Sequence, residues 1–159
     1  MFKVRVGCIV ACGDELALIH RQRNGVDIWT LPGGNVAPDE DIESAMIREL
    51  QEELGLVGVT PSLLFLQDML ISRTGYEPLY RKLHVIFRAI VSHELRSTFR
   101  LIEEDDLATG EIKWMNYKDA AELYLYPGIN SGLKCLSSLE AKIAPCILPP
   151  MTDETYTWL

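Results

Sequence analysis

The stretch Gly33-Gly34-Asn35-Val36-Ala37-Pro38-Asp39-Glu40-Asp41-Ile42-Glu43-Ser44-Ala45-Met46-Ile47-Arg48-Glu49-Leu50-Gln51-Glu52-Glu53-Leu54-Gly55-Leu56 organises the rest of the chain. Leu31-Pro32-Gly33-Gly34 is a strong breaker, read as a loop, and its glycines let backbone approach a ligand closely. Pro38-Asp39-Glu40-Asp41 then supplies acidic residues suited to the positive end of a helix. Residues 41–54 read as that helix: Met46, Leu50 and Leu54 recur at i, i+4 and i+8 as an apolar stripe, and Gly55 is a natural C-cap. The unit is a loop–helix–loop.

Its chemistry lies in its carboxylates. Glu49, Glu52 and Glu53 fall at i, i+3 and i+4 and so project from one helix face. Like charges at these spacings disfavour an isolated helix by a few tenths of a kcal/mol per pair, which a bound cation would remove. Clustered carboxylate oxygens suit hard ions such as magnesium or manganese. A solvated acidic face is the plainer reading of Glu-x-x-Glu-Glu alone. The context weighs against it, because a bare-backbone loop precedes the helix and Arg48 adjoins the triplet, able to orient a carboxylate by a bidentate contact.

Outward from this unit, Phe2, Val4, Val6 and Cys8 alternate with Lys3 and Arg5, a strand pattern. Gly13-Asp14 marks a turn into a second strand over 15–21, and Ile28-Trp29-Thr30 is a short apolar segment. Segments 62–72, 79–92 and 111–117 read as strands; 118–125 and about 129–143 read as helices separated by Pro127-Gly128. The tail from Pro145 is proline-rich and reads as irregular. This order predicts an α+β fold, a mixed sheet with helices packed on it, with one domain over 1–145 and a tail over 146–159.

The chain has 159 residues, 48% hydrophobic and 24% charged. That suits one ordinary globular domain with its own core. No apolar run is long enough for a membrane span and no signal peptide is visible, so no membrane partner and a cytoplasmic location are expected. Cys8, Cys12, Cys135 and Cys146 lack disulfide or metal-ligand spacing and read as thiols in a reducing compartment. The formal net charge is -8, with 15 Lys and Arg against 23 Asp and Glu. This argues against a nucleic-acid partner but not against a small phosphate-bearing substrate, because metal ions can sit between the two sets of negative charge.

Gly34, Glu40, Arg48, Glu49, Leu50, Glu52, Glu53, Gly55 and Leu56 together resemble the Nudix box of MutT-like hydrolases at every defined position. Trp29-Thr30-Leu31-Pro32-Gly33 resembles the family's entry to the box, and Glu111-Ile112-Lys113-Trp114 a feature of its C-terminal half. Asp39 stands where many members carry Gly, at a position the pattern leaves undefined. The box covers about a seventh of the chain.

The resemblance implies a Nudix fold and Mg2+-dependent hydrolysis of a diphosphate linkage in a small nucleotide-like substrate, with Mn2+ as the alternative ion. It implies Glu52 and Glu53 as metal ligands, and Glu49 as a further ligand or as the base that activates water. Arg48 would orient Glu49, Glu40 would brace loop and helix, and the Gly33 carbonyl would complete the metal site, with Gly33 and Gly34 also facing substrate. A carboxylate outside the box often assists in this family; Glu103, Glu104, Asp105, Asp106 and Glu111 are candidates. Homodimers are common in it.

Arg21 and Arg23 are candidates to meet phosphate, against a solvated hairpin. Trp29, Tyr76, Tyr80 and Trp114 could stack on a base, although aromatics are more often core. His20 and His84 lie in strand patterns and read as satisfied structural residues. Tyr156 and Trp158 are open between folding over the site or a partner chain and lying exposed or disordered in solvent. Within the family, the first strand beginning near residue 2 and the absence of the usual specificity signatures favour a nucleoside di- or triphosphate pyrophosphohydrolase. The rivals are an ADP-ribose, nucleotide-sugar or dinucleoside polyphosphate hydrolase, and a nucleotide-sensing domain without catalysis. The complete carboxylate set argues against the last.

Overall fold

The structure is a computed structural model, and it describes residues 2–71, 80–102 and 110–155. In chain order the elements are β1 (Phe2–Cys12), β2 (Glu15–Arg23), β3 (Val26–Thr30), β4 (Gly33–Asn35), α1 (Ile42–Leu54), β5 (Ser62–Ile71), β6 (Tyr80–Ile90), α2 (His93–Arg96), β7 (Gly110–Asn116), α3 (Tyr117–Ala120), β8 (Leu125–Tyr126), α4 (Asn130–Cys135), β9 (Cys146–Ile147) and β10 (Met151–Thr152).

β1 is half polar at its start and buried on both faces from Val6 onward. A strand of that kind belongs in the middle of a sheet covered on both sides. It lies there, parallel to β6 along most of its length and joined to β2 by the expected hairpin. The sheet is mixed, ordered β10-β5-β6-β1-β2-β3-β8, with β4 also on β1, β7 on β2 and β9 on β5. Alternate residues of β1 feed two cores. Val6, Cys8 and Val10 pack with Ala45, Met46, Leu50 and Leu54 of α1, while Ile9 and Ala11 pack with Leu18, Phe65, Ile129 and Leu133 on the other face. The α+β architecture and the apolar stripe of the helix are thus as the periodicity predicts.

α1 is capped at both ends. The Asp41 side chain accepts from the Ser44 amide, and Gly55, in the left-handed region at φ 66°, lets its N–H reach back to Gln51. Among the described residues, no helix is long and apolar enough to cross a membrane.

Three readings differ from the structure. Gly33–Asn35 is a short strand rather than a loop, paired antiparallel with Arg5–Gly7. The helices read over 118–125 and 129–143 are four and six residues long. Tertiary contacts claim the backbone that a longer second helix would use: the Arg88 guanidinium takes the carbonyls of Leu139 and Ala141, and the Leu139 amide donates to Asp14. Finally, the proline-rich tail adds β9 and β10 alongside β5, with Leu148 and Met151 buried. Prolines flank these two-residue strands without interrupting them, and the Leu148 amide still donates to Leu66.

Candidate active site

β4 and α1 are pressed together by what their glycines lack. A Cβ on Gly33 would collide with the Val6 carbonyl oxygen, and a Cβ on Gly34 with the Glu49 carboxylate. Neither glycine has a positive φ, so close approach rather than backbone conformation demands them. The pairing of β4 with β1 sets this short strand against the helix face that carries Glu49 and Glu53, and the Gly33 amide points at Glu53 Oε2, 3.4 Å away.

Arg48 ties the unit together. Its Nε and Nη2 grip both oxygens of Glu40, at 2.9 and 2.6 Å. Nη1 donates to Glu49 at 3.0 Å and to Glu52 at 3.1 Å, and Nη2 also reaches the Asn35 carbonyl at 3.1 Å. Charge-assisted, two-pronged contacts of this kind fix orientation as well as adding energy. Glu40 in turn accepts from the Ala37 amide, so it braces the loop against the helix. The Arg48 guanidinium, with that amide, holds the Glu40 carboxyl down at about 2.

Glu53 is pushed the other way. Burial raises it to about 7, and the neighbouring charge of Glu49 adds to the rise. The Gly33 N–H and the positive charges of Arg5 and Arg21 oppose it. Among the described residues, no group of three His, Cys, Asp or Glu side chains is already closed around one point. Glu49 is 15% exposed and Glu52 62%, held by Arg48. The donor set nevertheless fits a hard divalent ion: it is all oxygen, it carries three carboxylates, and a cation beside Glu53 would restore its charged form.

Arg21 is placed where its charge reaches Glu53, whereas Arg23 lies exposed at the end of β2. Glu111 is engaged elsewhere, with His20 at 3.2 Å and Lys113 at 3.5 Å. It pairs with His20 across β7 and β2, so strand alternation turns it to the face opposite Arg21. Glu103, Glu104, Asp105, Asp106, Tyr76, Tyr156 and Trp158 lie outside the described residues, as does the side chain of Tyr80. Trp29 stacks on His20 at 4.2 Å, and Trp114 packs between Phe99 and Arg96.

His20 is satisfied, as expected, by Asp27 and Glu111. His84 is not: it is fully buried, and neither ring nitrogen has a partner. Burial, with Arg5 and Lys82 nearby, pushes it down to about 3. Arg5 was also missed as a neighbour of the site. The sequence does carry a signal for it, since Arg5 is the last charge on a strand that then turns apolar on both faces.

Comparison with known proteins agrees with this fold. A family model for the NUDIX domain matches residues 1–134. The MutT protein of Bacillus halodurans superposes with a TM-score of 0.61 at 23% identity, covering 83% of this chain and 80% of that one. A MutT Nudix hydrolase from Burkholderia pseudomallei gives 0.59 at 26% identity, covering 74% and 84%. An RNA pyrophosphohydrolase of Teredinibacter turnerae is 44% identical over 55 residues, only 35% of this chain and 32% of the relative. An uncharacterised Nudix hydrolase of Bacillus subtilis is 22% identical over 121 residues, 76% and 70% of the two chains. The match to that RNA pyrophosphohydrolase therefore spans about a third of its length. The family is one of hydrolases acting on pyrophosphate bonds with divalent metal ions. With the model matched over most of its length and the box complete, this chain belongs to the Nudix family.

Proposed function

We propose that the chain is a pyrophosphohydrolase of a small nucleoside di- or triphosphate, working with Mg2+ or, in its place, Mn2+. The observation that carries this reading is the intact trio Glu49, Glu52 and Glu53 beside Gly33-Gly34, with Arg48 bound to two of the three. A divalent ion held by these carboxylates and the Gly33 carbonyl would neutralise phosphate oxygens and lower the pKa of a water. Arg48 keeps Glu49 and Glu52 aimed, and Glu40 keeps Arg48 in place. Glu49 serves as ligand or takes the proton of the attacking water. Arg21, whose charge reaches Glu53, meets the phosphate oxygens, with Gly33 and Gly34 offering bare backbone. Arg23 acts farther out along the hairpin, if the substrate is long.

A second reading is pyrophosphate removal from RNA, favoured by the match to RNA pyrophosphohydrolases. The net charge of -8 weighs against a nucleic-acid surface. ADP-ribose, nucleotide sugars and dinucleoside polyphosphates stay as alternative substrates, and nucleotide sensing without cleavage as the alternative of another kind. The test is phosphate and pyrophosphate release from all these classes, including a 5′-triphosphorylated RNA, in Mg2+ and in a chelator. Metal-dependent turnover of nucleoside di- or triphosphates is expected. Binding without turnover of any class would overturn the hydrolase reading.

A further inference from the structure

Three adjacent strands carry an unusual row of side chains. Arg5 on β1 is the register partner of His84 on β6, and His84 is the partner of Gln67 on β5. Each holds buried polar atoms without a hydrogen-bond partner: Arg5 Nε, both nitrogens of His84 and Gln67 Oε1. His84 is fully buried and Gln67 is 2% exposed. An unsatisfied buried polar group costs about 1–3 kcal/mol, so three side by side in one row call for a purpose. Arg5 also adjoins the box, as the register partner of Asn35 on β4.

The donors and acceptors of the row are fixed. Gln67 Nε2 donates to the carbonyls of Gly128 and Pro149, at 2.7 and 3.1 Å. Its amide therefore cannot flip, which leaves Oε1 as the buried acceptor without a partner. Arg5 is a donor only, and neutral His84 offers one donor and one acceptor. Lys82, two residues along the same face, donates to the Tyr126 hydroxyl at 3.3 Å and adds a second positive charge. The only carboxylate beside Gln67 in sequence, Asp68, alternates to the opposite face and pairs with Arg81.

We propose that this row is a specificity subsite for the substrate's heterocycle, and that it selects a ring edge with a carbonyl beside an N–H. Guanine and uracil present that edge; adenine has no carbonyl. The carbonyl oxygen faces Arg5 and His84, and the ring N–H faces Gln67 Oε1. An adenine amino group would instead bring N–H donors towards the cations. The Tyr126 ring lies against the row, with the Arg5 guanidinium 5.3 Å and the imidazole 5.2 Å from its centre. Occupation requires that ring to turn aside. The Tyr126 main chain stays tied to the Leu31 amide at the entry to the box. The inference rests on the nucleotide reading above, and its test separates the two.

Calorimetry with guanosine, uridine and adenosine monophosphates, in a chelator, measures the subsite without hydrolysis. Guanosine and uridine monophosphates are expected to bind about tenfold or more tighter than the adenosine compound, the effect of one well-made hydrogen bond. His84→Phe, which keeps a ring against Tyr126, and Gln67→Leu should each erase most of that preference. Equal binding of all three, or tighter adenosine monophosphate, by the unaltered protein would overturn the proposal even if a variant fails to fold. A preference that persists in both folded variants would also overturn it, making the row structural only. Base preference without turnover would sink the hydrolase reading alone; turnover without base preference would sink the subsite alone.

Discussion

Glu40 and Glu53 belong to one loop–helix unit and are driven in opposite directions. Arg48 holds the first ionised down to about 2, while burial lifts the second to about 7. In the proposed reading one is an anchor and the other a carboxylate whose charged form a cation would restore, and their environments rather than their residue type decide which is which. His20 shows the same logic away from the site. Asp27, and less strongly Glu111, raise its pKa above the usual 6.5. A group that binds its proton more tightly in the folded state adds stability below its unfolded pKa. That contribution is full below about 6.5 and is lost as pH rises through the higher folded value. Thermal melts on both sides of that pH should therefore fall in Tm going up, and fall less in an Asp27→Asn, Glu111→Gln double variant. Parallel slopes in the two proteins would show that the His20 contacts carry no linkage.

Among the elements, β4 and α1 make the candidate site and the glycines make their union. The two glycines predict different failures. Ala at Gly33 meets the main chain of Val6, which cannot step aside, so the β1–β4 pairing should loosen at a cost of about 1–3 kcal/mol. Gly34→Ala meets the Glu49 side chain, which can move, so Tm should change little while kcat drops roughly a hundredfold from the displaced carboxylate. Differential scanning with steady-state kinetics checks both; the reverse pattern would contradict the assignment. These elements also show where sequence reading succeeds. α1 was legible because its buried residues recur with the helical period, and β1 and β2 because a polar alternation at the start of the first and a turn signal before the second bound apolar runs that are buried on both faces. The strand at Gly33–Asn35 was hidden because glycines signal breaks, and here they signal close packing. The short α4 was overread because the capture of the Leu139 and Ala141 carbonyls by Arg88 is a contact across 51 and 53 residues.

At the scale of the whole molecule, the sheet brings together residues that the chain keeps far apart. The box lies within 23 consecutive residues and could be read directly. Arg5, His84 and Gln67 come from three strands, and only the register of β1, β6 and β5 aligns them. His84 read as a satisfied strand residue because alternation predicts a facing side, not a partner. Under the proposed function, an acidic molecule of net charge -8 must place cations where phosphate arrives, and Arg21, whose charge reaches Glu53, is assigned that role. A divalent ion bound by the carboxylates would be the remaining source of positive charge. The most direct measurement compares Mg2+-dependent hydrolysis of nucleoside di- and triphosphates by the unaltered protein and by Glu53→Gln, with melts to show that both are folded. The account predicts turnover by the first, none above background by the second, and a Tm for the variant at least equal to the metal-free parent at neutral pH. A folded Glu53→Gln protein that keeps near-normal Mg2+-dependent turnover would contradict it.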